Sequence, residues 1–223
     1  MTQPEDADPK PRVAELLSPH GAYHTAMTDP APTFWEMSEE EYLRTEPDSP
    51  IKREFFGGYV YPLHGPTVAQ AGASVGHGEV IVSLTLALAP AARRQGCRLF
   101  SADMRVYATP SAGQRAYFYP DVLVTCEAIT SEATSVREPC LLVEVLSPGT
   151  GHTDRTTKLL AYTTLPSLQT YLIVDPTRRL VRALERQAEG WTDRELSGAG
   201  EIAVPCLNTT LTLDDIYAGV LDR

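Results

Sequence analysis

Two apolar runs, each interrupted by a single acid, constrain this chain more than any other feature. The first extends from Tyr117 to Cys126 and carries Asp121; the second extends from Cys140 to Leu146 and carries Glu144. Strands rich in Val, Leu and Ile normally exclude carboxylates, because an ionised carboxylate in a low-dielectric interior is costly unless a cation or hydrogen bonds compensate it. Both runs are bounded by Pro, Gly or polar residues and read as central strands of a sheet. Alternation places Asp121, Leu123 and Thr125 on one face of the first strand, and Leu142, Glu144 and Leu146 on one face of the second. If the strands pair, two carboxylates share a face, and such a pair is a cation site.

The segment SPGTGHTD (147–154) reads as a loop, with Thr153 or Asp154 capping a helix that runs through Lys158 and Tyr162. Asp154, Lys158 and Tyr162 are spaced four apart and share one helical face. A helix that closely follows a strand folds back over the strand's end, so Lys158 can point toward the acids. The same three groups, Asp121, Glu144 and Lys158, would also serve as a buried ion-pair cluster holding sheet to helix.

These segments resemble the PD-(D/E)xK nuclease superfamily, and within it the Uma family of bacterial restriction endonucleases. Pro120-Asp121 matches the PD element, and VEVLSPGT (143–150) matches the strand and loop around the glutamate. The lysine expected two residues after Glu144 is replaced by Leu146, and the resemblance implies that Lys158 takes its place. Similarity extends through MSEEEYL (37–43), REFFGGYVY (53–61), the helix near His77 and YLIVDP (171–176), roughly residues 34–217. It implies an α/β fold with a restriction-endonuclease-like core, a central mixed β-sheet flanked by helices and extra β-hairpins. It also implies hydrolysis of DNA, Glu54 and His77 beside the metal site, and a homodimer. The metal would be Mg2+ or Mn2+, which prefer oxygen ligands, so Asp121, Glu144 and the backbone carbonyl of Val145 form a plausible partial shell.

The rest of the chain fits one such domain, residues 33–223, preceded by an extension. Residues 1–32 are rich in Pro, Ala and Asp, reading as disordered with at most a short helix around Val13 to Leu17. His20 and His24 could share a helical face there, but so loose a segment makes a poor metal site. Ser38 caps a helix with Glu41 at its third position, and Lys52 to Leu63 forms a hairpin around Gly57-Gly58 with Glu54 on its first strand. Residues 67–95 form a packed helix that ends before Pro90 and carries His77 near its start. Cys97 to Ala108 reads as one strand, with Asp103 in an ion pair with Arg105 or Arg115. Gln169 to Asp175 and Leu180 to Glu185 form a hairpin, and Thr212 caps a closing helix. Arg178, Arg179, Arg182 and Arg186 near that hairpin read as a solvated face more than a phosphate contact.

Four cysteines, Cys97, Cys126, Cys140 and Cys206, lack CxxC spacing, so the pattern indicates neither zinc nor a redox pair, and buried free thiols are expected. The net charge of -10 is unusual for a nucleic-acid partner. Residues 1–50 hold 3 Lys or Arg against 11 Asp or Glu, however, so residues 51–223 carry only -2. No apolar stretch reads as approaching the ~20 residues of a membrane span, and the acidic N-terminus is unlike a signal, so the cytoplasm is the default location. No Walker loop, GxGxxG or GxSxG occurs, which excludes nucleotide-cradling and serine-hydrolase readings. An enzyme cutting DNA with a metal therefore leads. A nuclease-fold binding or assembly module without catalysis follows, motivated by the absent lysine and the acidic balance. A third reading has the acidic first 50 residues mimicking nucleic acid over the cleft.

Overall fold

The computed structural model describes residues 34–63, 74–111, 113–147 and 152–221, with side chains from 156 onward in the last of these. The expected N-terminal extension, its short helix, His20 and His24 lie outside the described residues, as do positions 67–73 of the expected helix and the side chain of Asp154.

Two six-stranded sheets carry the fold. The first has the order β1-β3-β2-β6-β5-β8, from β1 (Trp35–Glu36), β2 (Arg53–Phe56), β3 (Tyr59–Pro62), β5 (Arg105–Ala108), β6 (Ala116–Phe118) and β8 (Ser135–Val136). The second has the order β12-β11-β10-β9-β7-β4, from β4 (Arg98–Ser101), β7 (Val122–Thr125), β9 (Pro139–Val145), β10 (Thr170–Asp175), β11 (Leu180–Gln187) and β12 (Gly190–Ser197). A small hairpin of β13 (Glu201–Val204) and β14 (Thr209–Thr212) stands apart. Within the second sheet β9 and β10 are parallel and the other pairs antiparallel, the mixed sheet that was expected. A parallel pair needs a crossover, which α3 (His152–Thr163) supplies.

Alternation along the central strands sorts the core into two faces. Leu141, Val143 and Val145 of β9, with Val122 and Val124 of β7, join a cluster with Val80, Leu84 and Leu88 of α2 (Val75–Arg94) and with Leu213 and Ile216 of α4 (Leu213–Tyr217). Leu142 and Leu123 face the other way, toward Ala161 and Tyr162 of α3 and Phe118 and Val106 of the first sheet. Beyond that sheet, Tyr42 of α1 (Glu39–Thr45) packs on Phe55, Val60 and Tyr117. Ser38 and Thr212 cap their helices as expected, and at Thr212 the Asp215 side chain completes a capping box that the sequence reading did not assign. The β2–β3 hairpin turns through Gly57 and Gly58 at φ of 57° and 96°, backbone that a side chain would strain.

Several boundaries differ from the sequence reading. The Cys97 to Ala108 segment is two strands in different sheets, because Ala102 adopts a left-handed φ of 68° and redirects the chain. Tyr117 to Cys126 likewise divides into β6 and β7, with Tyr119 to Asp121 passing between the sheets. The two crossings touch, since Ala102 N–H donates to the Asp121 carbonyl at 3.1 Å. Asp103 pairs with Lys52 and not with Arg105 or Arg115. Helix α2 continues through Pro90 to Arg94; the carbonyl left without a donor four residues earlier belongs to Leu86, which is exposed to water. Helix α3 starts at His152, so neither Thr153 nor Asp154 precedes it as a cap. On length and composition α2 is apolar enough to cross a membrane, against the expectation that no stretch approaches this. Its buried face, Val80, Leu84 and Leu88, gives that apolarity a packing cause.

All four arginines expected to cluster near the β10–β11 hairpin are engaged locally. Arg178 pairs with Asp175, Arg179 with Asp214 and Arg182 with Asp193, while Arg186 donates to the carbonyls of Leu165 and Leu168. Asp175 organises the turn. Its carboxylate accepts from Thr177 N–H at 2.9 Å, Thr177 Oγ1 at 2.7 Å and Arg178 Nε at 2.6 Å. Burial alone would raise the Asp175 pKa, but these hydrogen bonds outweigh it and hold the group below its ordinary value. Asp175→Ala is expected to cost about 1–3 kcal/mol at neutral pH. Because the folded-state pKa is depressed, that stabilisation is present above the ordinary carboxylate pKa and is lost as pH falls through the folded value. Urea unfolding of both proteins from pH 7 to pH 3 should therefore show the difference shrinking with acidity.

Candidate active site

The site forms where β7 and β9 end together. Val122 pairs with Val143 and Leu123 with Leu142, so one further step of the register sets Asp121 across from Glu144. Asp121 lies just outside β7, at the crossing between sheets, and alternation therefore does not dictate its direction. Its Oδ2 accepts from Val145 N–H at 2.6 Å, and its Oδ1 lies 3.4 Å from His77 Nε2. His77 belongs to α2, which packs on the Val122 and Val143 face. The expectation that Asp121 shares the Leu123 face is corrected on this point: its partners come from the α2 side.

Glu144 keeps its expected face, with Leu142 toward α3. Its Oε2 accepts from Lys158 Nζ at 3.3 Å and its Oε1 from Tyr162 Oη at 2.9 Å. Lys158 Nζ also lies 2.9 Å from Glu54 Oε1, which accepts from Tyr119 N–H at 2.9 Å. The Phe118 ring sits beneath the ammonium at 5.9 Å. Tyr119 is held in turn by its hydroxyl on Glu46, itself in a buried pair with Arg53. The PD crossing is thus fixed by two glutamates from the first sheet's side.

All five sequence-derived side chains assemble here, in two groups. Glu54 and Lys158 are almost fully buried, with side chains 4% and 5% exposed, whereas Asp121 is 21% and Glu144 14% exposed. Solvent reaches the carboxylates of Asp121 and Glu144 first, and the lysine lies behind them. The hydrogen bond to Asp121 raises the His77 pKa above its ordinary value against the opposing effect of burial, with the Asp121 charge and the Val145 backbone adding to the rise. His77 Nδ1 is buried without a hydrogen-bond partner among the described residues. Burial, with the charges of Glu144 and Glu54, keeps the Tyr162 hydroxyl far above its usual pKa and therefore a donor. Tyr162 and Tyr119 are neighbours of the site to which sequence reasoning gave no role. The i, i+4 spacing of Tyr162 from Lys158 was the available signal; nothing in the sequence links Tyr119 to Glu54.

Three carboxylates converge at this end of the sheet, with the Lys158 ammonium between Glu54 and Glu144 and the His77 ring against Asp121. All donors of the two outer acids and the adjacent Val145 peptide are hard oxygens, which suits Mg2+ or Mn2+ better than a soft metal. A groove of about 240 Å³ opens beside the site, lined by Leu146, Thr156, Ile173, Arg178 and Arg182, although none of the five site residues lines it.

Because Lys158 is buried between two carboxylates, Lys158→Met should destabilise the fold by roughly 3 kcal/mol, a fall in Tm on the order of 10 °C. Adding Glu54→Gln should recover part of that loss. Calorimetry on the single and double variants checks both statements; an unchanged Tm in Lys158→Met would show that the cluster is not holding the layers together.

The sequence pattern of the Uma2 family, described as "Putative restriction endonuclease", matches residues 40–214. A Synechocystis protein, slr1290, is 29% identical over 193 residues, covering 86% of this chain and 96% of its own length. A second, sll1609 from the same organism, is 32% identical over 142 residues, covering 62% and 75%. A crystal structure titled as a putative nuclease belonging to DUF820, from Anabaena variabilis, superposes with a TM-score of 0.64 at 18% identity, covering 82% of this chain and 98% of that one. That structure establishes the shared fold, and with the match across residues 40–214 the chain belongs to the Uma2 family.

Proposed function

We propose that this protein is a metal-dependent endonuclease that hydrolyses phosphodiester bonds in DNA. The observation that carries the reading is the convergence of Asp121 and Glu144, two partly exposed carboxylates at adjoining ends of paired strands, with the Lys158 ammonium behind them. Two pre-oriented carboxylates side by side at a solvent-facing strand end are the hard-oxygen donor set that a divalent cation takes. Bound there, Mg2+ or Mn2+ would acidify a water and neutralise charge on the phosphoryl oxygens.

Asp121 and Glu144 would hold the ion with the Val145 carbonyl. His77 and the Val145 N–H orient the Asp121 carboxylate, and Tyr162 orients that of Glu144. Lys158 is fixed by Glu54, so its ammonium can steady Glu144 and lend positive charge to the site from behind the outer carboxylates at little reorganisation cost. Hydrolysis adds water across one P–O bond, leaving a phosphate monoester on one fragment and a hydroxyl on the other. The small charge of residues 51–223 lessens the repulsion expected from the whole chain's acidity.

A second reading, a nuclease-fold module that binds without cutting, is favoured by the lysine's engagement with both Glu54 and Glu144. Plasmid cleavage separates the two. Supercoiled DNA should be nicked with Mg2+ or Mn2+, not with EDTA, and Glu144→Gln should reduce the rate by at least about 100-fold while keeping its Tyr162 hydrogen bond. Equal cleavage by wild type and variant would assign the activity to a contaminant, and no cleavage by either under these conditions would favour the binding module.

A further inference from the structure

All four cysteines of the chain meet at one place, although they stand at positions 97, 126, 140 and 206. Cys97 joins α2 to β4, Cys126 follows β7, Cys140 lies in β9, and Cys206 lies in the 3-10 turn Pro205–Leu207. They form two disulfides, Cys97–Cys126 and Cys140–Cys206. This corrects the expectation of free thiols and of no redox pair. That expectation came from spacing along the chain, whereas pairing across adjacent strands depends only on spacing in the sheet.

The two disulfides also abut. The sulfurs of Cys126, Cys140 and Cys206 lie within 4.8 Å of one another, and that of Cys97 is one bond from Cys126. Cys97 and Cys140 are buried, Cys206 is half-buried and Cys126 is exposed. Tetrahedral zinc with Zn–S bonds near 2.3 Å needs sulfurs about 3.8 Å apart, so small side-chain rotations would close the set. The cluster sits at the opposite end of β7 and β9 from Asp121 and Glu144. Its donors are all soft and those of the acidic site all hard, so the two ends would select different metals.

We propose that these four sulfurs are a thiolate metal site that takes one Zn2+ when the two disulfides are reduced. Two equivalents of a dithiol reductant would convert the two disulfides to four thiols and be oxidised to two cyclic disulfides. Attack begins at exposed Cys126 and passes through a mixed disulfide. One Zn2+ then replaces the four thiol protons, which are released to solvent, giving a closed tetrathiolate. In either state the α2–β4 junction and the β13–β14 hairpin stay tied to the two central strands.

The test uses the full chain, reduced with a phosphine under nitrogen and given Zn2+ or Co2+. One Zn2+ per chain in native mass spectrometry is expected, with the visible absorption of tetrahedral thiolate in the Co2+ form. Glu144→Gln should bind equally well, whereas Cys126→Ser and Cys206→Ser should each weaken binding by at least about 100-fold. Oxidation with diamide should release the zinc stoichiometrically to a chromogenic chelator. Four freely titratable thiols in a folded, reduced chain under excess Zn2+ would overturn the proposal, as would equal zinc uptake by the serine variants. Circular dichroism on every sample separates loss of the site from loss of the fold.

Discussion

A buried ammonium between two carboxylates holds the layers of this protein together. Glu54 comes from β2 of one sheet, Glu144 from β9 of the other, and Lys158 from the helix that links β9 to β10. Each ion would be costly to bury alone, and each is tolerated because the other two are in place. The arrangement fixes how α3 lies over the strand ends. It also explains how a glutamate sits in a strand whose neighbours are Val143 and Val145.

On its outer side the same cluster presents the carboxylates of Asp121 and Glu144. Asp121 is held by a backbone N–H and by His77, while both oxygens of Glu144 are directed by Lys158 and Tyr162. The carboxylates are therefore positioned before any ligand arrives, and little reorganisation remains to be done on binding. Structure and prospective chemistry draw on the same residues, so substitutions at Lys158 and Glu54 mix stability with activity. Asp121 and Glu144, nearer solvent, report on the chemistry with less of that mixture.

Much of this was legible in the amino-acid order because carboxylates are rare inside apolar runs. Asp121 and Glu144 announce themselves by breaking that pattern, and the four-residue spacing of Lys158 and Tyr162 declares a helix face. Less legible was anything decided by a change of sheet. A left-handed Ala102 and the Tyr119-Pro120-Asp121 crossing turn two apparent long strands into four short ones, and no local propensity marks the first of these. The crossing also takes Asp121 off its expected face and hands it to His77 on α2. The cysteines are the clearest case: separations of 29 and 66 residues carry no signal until the sheet order is known. Pro90 shows the reverse, a strong helix-breaking signal overridden on an exposed face of the helix, where Leu86, four residues earlier, is open to water.

The proposed divalent cation at Asp121 and Glu144 can be sought by binding alone. Electron paramagnetic resonance of free Mn2+, titrated with the protein, tests it without depending on any substrate. One Mn2+ site per chain, competed by Mg2+ and lost in both Asp121→Asn and Glu144→Gln, is the predicted result. Absence of binding, or binding that survives both substitutions, would contradict it and leave Lys158, Glu54 and Glu144 as a structural ion cluster.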